Sequence, residues 1–263
     1  MSAVEVRAGV ATHAGAVREV NEDSVLAVRG LYVVADGMGG HAAGEVASAI
    51  AVRRLEALAG RERVTADDVR AELVAANADV LADAAANPRR AGMGTTVAGL
   101  ATVDAAGSPH WALFNIGDSR VYRLAGGEFT QLTIDHSEVG ELLDAGAITQ
   151  REASSHPMRH VVTRAVGTDP GPEADVWVFP RSVGERFLIC SDGLPLELPD
   201  DEIGAVLRAT DDPQQAADAL VGKAVAAGGR DNVSVVVVDS APDAASDHGG
   251  SPDDTAPRAR QRT

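Results

Sequence analysis

The sequence predicts an α+β fold, and two observations carry that prediction. Strands come in apolar pairs that are separated by helical pairs. Strand and helix signals also alternate irregularly, without the strict succession that a doubly wound parallel sheet would require. In order along the chain, Val4, Val6, Ala8 and Val10 alternate with more polar residues, as in a half-buried strand. SVLAVRG and LYVVAD are two apolar runs separated by a glycine, which predicts a hairpin. From Gly44 to Ala59, Val46, Ile50 and Leu55 recur at helical spacing. Thr65 caps a second helix whose apolar face repeats through Val69, Leu73, Ala76 and Val80.

A strand-rich middle follows: TTVAGLATVD, HWALFNI, SRVYRLA and EFTQL, punctuated by Gly, Asp and Ser turns. Glu138 to Ser155 is polar and helical. ADVWVF and RFLIC read as strands, Asp200 to Ala227 as two helices, and VSVVVV as the closing strand. At Ser240 the composition shifts to Ala, Pro, Asp, Gly, Ser and Arg, with too little apolar surface to offset the entropy of ordering. One domain over residues 1–239 and a disordered polar tail over 240–263 are therefore expected.

The formal net charge of −16 excludes nucleic acid as a partner, because phosphate backbones call for a basic footprint. It also argues against an anionic membrane surface. The longest aliphatic run, Val233 to Val238 broken by Ser234, is too short to span a bilayer, so no membrane insertion is expected. A single cysteine, Cys190, rules out an intramolecular disulfide or a multi-cysteine zinc site. It fits a cytoplasmic location and reads as a core residue.

The placement of the acidic residues is more informative. LYVVA ends in Asp36-Gly37, WALFNI in Gly117-Asp118, and RFLIC, after Ser191, in Asp192-Gly193. Asp231-Asn232 stands directly before VSVVVV, and Asn21-Glu22-Asp23 precedes another strand. Singly, each Asp-Gly pair reads as a turn. Together, antiparallel strands would bring these carboxylates to one edge of a sheet. There they would repel one another and titrate upward unless hard divalent cations neutralise them.

Six motifs occur in order: Arg18-Glu19-Val20-Asn21-Glu22-Asp23, Asp36-Gly37-Met38-Gly39-Gly40-His41, Met93-Gly94-Thr95-Thr96, Gly117-Asp118-Ser119-Arg120, Ser191-Asp192-Gly193 and Arg230-Asp231-Asn232. In this the chain resembles the PP2C-type (PPM family) metal-dependent protein serine/threonine phosphatases, in their compact bacterial form, from Val4 to Asp239. The resemblance implies a β-sandwich of two antiparallel sheets flanked by α-helices on both sides, in four layers α-β-β-α. It implies hydrolysis of phosphoserine and phosphothreonine by water held on two Mn²⁺ or Mg²⁺ ions, with a weaker third. Asp36 would bridge the pair, Asp192 and Asp231 would hold one ion, and Glu22 with the Gly37 carbonyl the other. Asp118, with Asp192, would take the third. Asp23 would orient the water, and Arg18 would bind the substrate phosphate. The implied partners are phosphorylated proteins, namely Ser/Thr kinases and their substrates, met by a monomer.

Elementary chemistry agrees. A phosphate monoester repels hydroxide, and paired cations supply both charge neutralisation and a nucleophile near neutral pH. An arginine fork adds bidentate recognition of the phosphate. The chain departs from the family at Met38, where many members have a histidine proton donor. His41 stands three residues later, either as the acid or as an element ordering the Gly-rich turn. Pro195 and Pro199 restrict a segment that is usually more polar. The stretch from Asp135-His136-Ser137 to Thr163-Arg164-Ala165 reads either as a mobile flap over the site or as a surface helix pair. Two other functions remain: a phosphatase dedicated to one small regulatory phosphoprotein, and a silent phosphoprotein binder, which the complete set Asp36, Asp192 and Asp231 disfavours. Gly37-Met38-Gly39-Gly40 lacks the Lys-Ser/Thr of a nucleotide phosphate loop.

Overall fold

The structure is a computed structural model that describes residues 4–39, 43–153, 156–158 and 161–242. One five-stranded sheet has the order β1-β12-β11-β8-β9, formed by Val4–His13, Val233–Pro242, Glu185–Cys190, Arg120–Ala125 and Glu128–Gln131. The other has the order β10-β7-β6-β3-β2, formed by Asp175–Pro180, Ser108–Ile116, Val97–Ala105, Leu31–Ala35 and Ser24–Val28. A two-stranded ribbon pairs β4 (Gly37–Met38) with β5 (Gly94–Thr95). All these pairings are antiparallel.

Strand periodicity explains the layers. Tyr32 and Val34 of β3 join Trp111 and Leu113 of β7 against Phe187, Ile189, Val236 and Val238 of the opposite sheet. The alternate residues Leu31, Val33 and Ala35 pack on α1 (Gly44–Glu56) and α2 (Ala66–Ala86) through Ile50, Leu55, Val69 and Leu73. On the far side, Val233, Val235 and Val237 meet Ile203 and Leu207 of α6 (Asp200–Ala209), and Ala217, Leu220 and Ala224 of α7 (Pro213–Ala227). Strands buried on both faces read as continuous apolar runs rather than alternations, which is why LYVVA and VSVVVV look as they do. Each fully buried Val or Leu contributes roughly 1.5–3 kcal/mol. The expected four-layer α-β-β-α sandwich is the fold observed.

The cap of α2 forms as its sequence requires. Thr65 Oγ1 accepts from Asp68 N at 3.2 Å, and Asp68 Oδ2 accepts from Thr65 N at 2.8 Å. The polar stretch after β9 contains α3 (Glu138–Asp144) and α4 (Gln150–Ala153). Two boundaries differ from expectation. Gly193–Glu197 forms a short helix, α5, because Pro195 lies in its first turn, where a missing N–H costs nothing. β12 also runs past Asp239, with Ser240, Ala241 and Pro242 opposite Val6, Glu5 and Val4. The rest of the expected tail lies outside the described residues. No helix among the described residues is long and apolar enough to cross a membrane.

Candidate metal centre

Antiparallel register brings the ends of β3 and β7 to the same rim as the start of β6, and the end of β11 beside the start of β12. Asp36, Asp118, Asp192 and Asp231 continue from these strands. Asp36 is fixed through its backbone: its N–H donates to Thr96 Oγ1 at 3.0 Å, and its carbonyl accepts from Thr96 N at 2.9 Å and Thr95 Oγ1 at 2.9 Å. Thr96 Oγ1 in turn meets Ser119 Oγ at 2.7 Å. The Gly-Thr-Thr and Gly-Asp-Ser motifs thus brace the central aspartate. At Gly37 a Cβ would collide with the carbonyls of Gly44 and Glu22, so only glycine lets the chain pass there.

The loop before β2 is clamped by Asn232. Its Oδ1 accepts from Glu22 N at 2.9 Å, and its Nδ2 donates to Ala14 O at 3.0 Å and Val20 O at 2.9 Å. Ser191 Oγ donates to Asp23 Oδ2 at 2.9 Å and accepts from Ser234 N at 3.0 Å, joining that loop to both central strands. Glu22 Oε1 accepts from Gly44 N at 3.2 Å, at the start of α1. On the far side, Glu197 Oε1 takes Arg230 N at 2.8 Å and Arg230 Nε at 2.9 Å, fixing the residue before Asp231. The proline-flanked segment therefore supports the Arg-Asp-Asn motif.

The carboxylates interact as like charges. Burial pushes Asp36 well above the ordinary carboxylate range, and Asp23, Asp192, Asp118 and Asp231 push it further. Asp23 rises to about 7 through burial, moderated by the hydroxyls of Ser234 and Ser191 and reinforced by Asp192 and Asp231. Asp118 also rises to about 7, from burial first and then from Asp192 and Asp135. Among the described residues, Asp23 Oδ1 is buried without a hydrogen-bond partner. Burial likewise raises the Cys190 thiol, which belongs to the core as expected and is no nucleophile.

Hard oxygen donors with this much mutual repulsion suit Mg²⁺ or Mn²⁺ in both chemistry and charge. The set is open rather than closed: among the described residues, no group of three His, Cys, Asp or Glu side chains is drawn together in the manner of a metal site. Several oxygens have local partners instead. Arg18 Nη2 holds Asp231 Oδ2 at 2.8 Å, Gly44 holds Glu22, and Ser191 holds Asp23. A cleft of about 1090 Å³, lined by Arg29, Tyr32, Arg61 and Asp104, lies where β3 begins, at the other end of the sandwich, and contains none of these carboxylates.

The family model for protein phosphatase 2C matches residues 14–221. The chain belongs to this family. This phosphatase 2C chain is 43% identical over 231 residues to the serine/threonine protein phosphatase PstP of Mycobacterium tuberculosis, covering 86% of this chain and 43% of that one. It thus spans under half the length of that curated relative. It is 36% identical over 240 residues to the serine/threonine phosphatase stp of Listeria welshimeri, covering 87% and 93% of the two chains. Among solved structures, the catalytic domain of PstP in complex with two manganese ions superposes with a TM-score of 0.83 at 36% identity, covering 91% of this chain and all of that one.

Of the residues expected at the phosphatase 2C site, the structure couples Asp23, Asp36, Asp118, Asp192 and Asp231 electrostatically and puts Arg18 on Asp231. Glu22 and Gly37 adjoin them at the start of α1. His41 lies outside the described residues. The supporting residues Asn232, Ser191, Ser234, Thr95, Thr96 and Glu197 were given no role by the sequence reading. For most of them the signal was membership in the motifs themselves.

Proposed function

We propose that this chain hydrolyses phosphoserine and phosphothreonine in proteins by direct attack of water at a divalent-cation centre, opposing Ser/Thr kinases. The observation that carries the reading is the run of like charges around Asp36, set at a sandwich rim beside an arginine in a phosphatase 2C chain. Asp36 is the central ligand, Asp192 and Asp231 complete one position, and Glu22 with the Gly37 carbonyl the other. Asp118, with Asp192, would hold a weaker third. Bound there, Mn²⁺ or Mg²⁺ lowers the pKa of water and offsets the charge on the phosphate.

The chain's own residues do the rest. Asp23, held by Ser191 at Oδ2, is suited to orient water beside the cations. Arg18 moves between Asp231 and the phosphate, and its planar fork fits two phosphate oxygens. The partners are phosphorylated proteins. The test is hydrolysis of a phosphothreonine peptide by the full chain with Mn²⁺, with Mg²⁺ and after exhaustive chelation. Activity is expected with either cation, and turnover that survives chelation overturns the reading.

A further inference from the structure

Behind Asp118 the chain is gripped by one buried imidazole. His136 is 2% exposed. Its backbone N–H donates to Gly117 O at 3.0 Å, and its ring Nδ1 accepts from Gly117 N at 3.1 Å, so a single residue takes both backbone groups of Gly117. A backbone N–H can only donate. Nδ1 therefore carries a lone pair, and the ring proton sits on Nε2, where it is donated to Asp175 Oδ2 at 3.0 Å. Asp175 Oδ1 accepts from Arg164 Nη1 at 3.2 Å, and His136 O accepts from Thr163 N at 2.8 Å.

Gly117 cannot set its own orientation. It sits at φ +105°, and a Cβ would run into the side chain of Thr96. Asn115 Nδ2, at 3.1 Å, and the His136 backbone N–H hold its carbonyl, in the peptide leading into Asp118, while its own N–H, in the preceding peptide, has the imidazole as its acceptor. Through Asp175, and through its backbone carbonyl, His136 also reaches the segment that bears Thr163 and Arg164.

We infer that His136 is a positioning residue. It holds both sides of Gly117, the Ile116-Gly117 peptide through Nδ1 and the Gly117-Asp118 peptide through its backbone N–H, and ties them to the 163–164 segment through Nε2 and Asp175. The inference rests on the proposed role of Asp118 at the centre. It gives Asp118 and the 163–164 segment, in the stretch read from sequence as a flap or a surface helix pair, one common support, so substrate contact with that segment is felt at Asp118.

Two substitutions divide the ring's functions. His136→Asn retains an acceptor near the position of Nδ1 but loses the reach to Asp175. His136→Gln reaches the Nε2 position but leaves Gly117 N–H without its acceptor. In the full chain, His136→Gln should speed hydrogen exchange at the Gly117 amide at least about tenfold and lower kcat about tenfold, with KM for a phosphopeptide changed less than about twofold, because displacing a positioned group costs rate more than binding. His136→Asn should keep the amide protected and lose less than about threefold in kcat. Equal exchange and equal kcat in both variants, tracking the loss in Tm, would reduce His136 to packing.

If His136→Gln does not fold, the wild-type imidazole ¹⁵N spectrum decides. An unprotonated Nδ1 and a protonated Nε2 are expected, and a proton on Nδ1 overturns the assignment. A wild-type chain inactive with Mn²⁺ would sink the phosphatase reading, whereas the Gly117 exchange and the imidazole spectrum test the positioning role without turnover.

Discussion

Asp79 on α2 accepts from Arg54 Nε at 2.5 Å, Asp68 from Thr65 and Arg61, and Glu197 from Arg230; each carboxyl is held below its ordinary range, chiefly by those hydrogen bonds. At the strand ends, Asp23, Asp36 and Asp118 move the opposite way, because burial and neighbouring carboxylates there outweigh what the hydroxyls of Ser191 and Ser234 and the guanidinium of Arg120 offset. One set is spent on holding helices and turns. The other works against the fold unless protons or cations relieve it. Charge left unrelieved by the protein's own side chains marks functional sites.

The sharpest way to break the contrast is to remove its centre. Asp36→Asn keeps the shape and deletes one charge. It should reduce kcat/KM by roughly 100-fold or more, since even residues that only support a metal ligand cost 10–100-fold. Turnover within a few-fold of wild type would show that Asp36 is not the central ligand.

The next effect is thermodynamic. A carboxyl with a raised folded pKa binds more protons folded than unfolded, so its contribution to stability falls as pH rises from 3.8 through about 7. In chelator, the Tm should therefore decline between pH 5 and pH 7.5. The arginine-held set has the opposite sign but titrates below this window, since its folded pKa values are depressed. Mn²⁺ binds the ionised form, so at 100 times its Kd it should add about 2.7 kcal/mol near neutral pH, or roughly 5–10 °C, and flatten or reverse the slope. A pH-independent Tm in chelator would mean that the strand-end carboxylates are not strained.

Arg18 stands between the two sets, a cation already on Asp231 but half exposed. Arg18→Lys keeps the charge and loses the planar fork. KM for a phosphopeptide should rise about tenfold, with a smaller change in kcat, because bidentate recognition is what lysine cannot supply. An equal loss in kcat at unchanged KM would shift its role to holding Asp231.

How much of this was legible follows from sequence distance. Asp36, Asp118, Asp192 and Asp231 stand out because apolar runs stop or start at them, and the two-sided burial of those runs gave the strands away. What supports them could not be seen. Asn232 grips a loop more than 200 positions earlier, and Ser191 reaches Asp23 across 168. No local period encodes such bonds. α5 was hidden because Pro195 and Pro199 look like helix breakers, yet one lies in a first turn and the other caps α6. The boundary at Ser240 followed composition, whereas β12 follows backbone pairing with β1, which small and polar residues sustain equally well.

The smallest expected effect tests the paired set. Asp79 and Arg54 form a short but partly exposed ion pair, with side chains 37% and 41% accessible. Attraction in high dielectric is weak, and ordering two long side chains opposes it. Asp79→Asn should lower the Tm by less than about 2 °C and leave kcat/KM within about twofold of wild type, as α2 lies on the outer face of the sandwich. It should also leave the pH slope in chelator intact, since Asp79 titrates outside that window. If Asp79→Asn flattened the slope as strongly as Asp36→Asn, the carboxylates would form one charge network rather than two populations, and the contrast between helix face and strand end would fall.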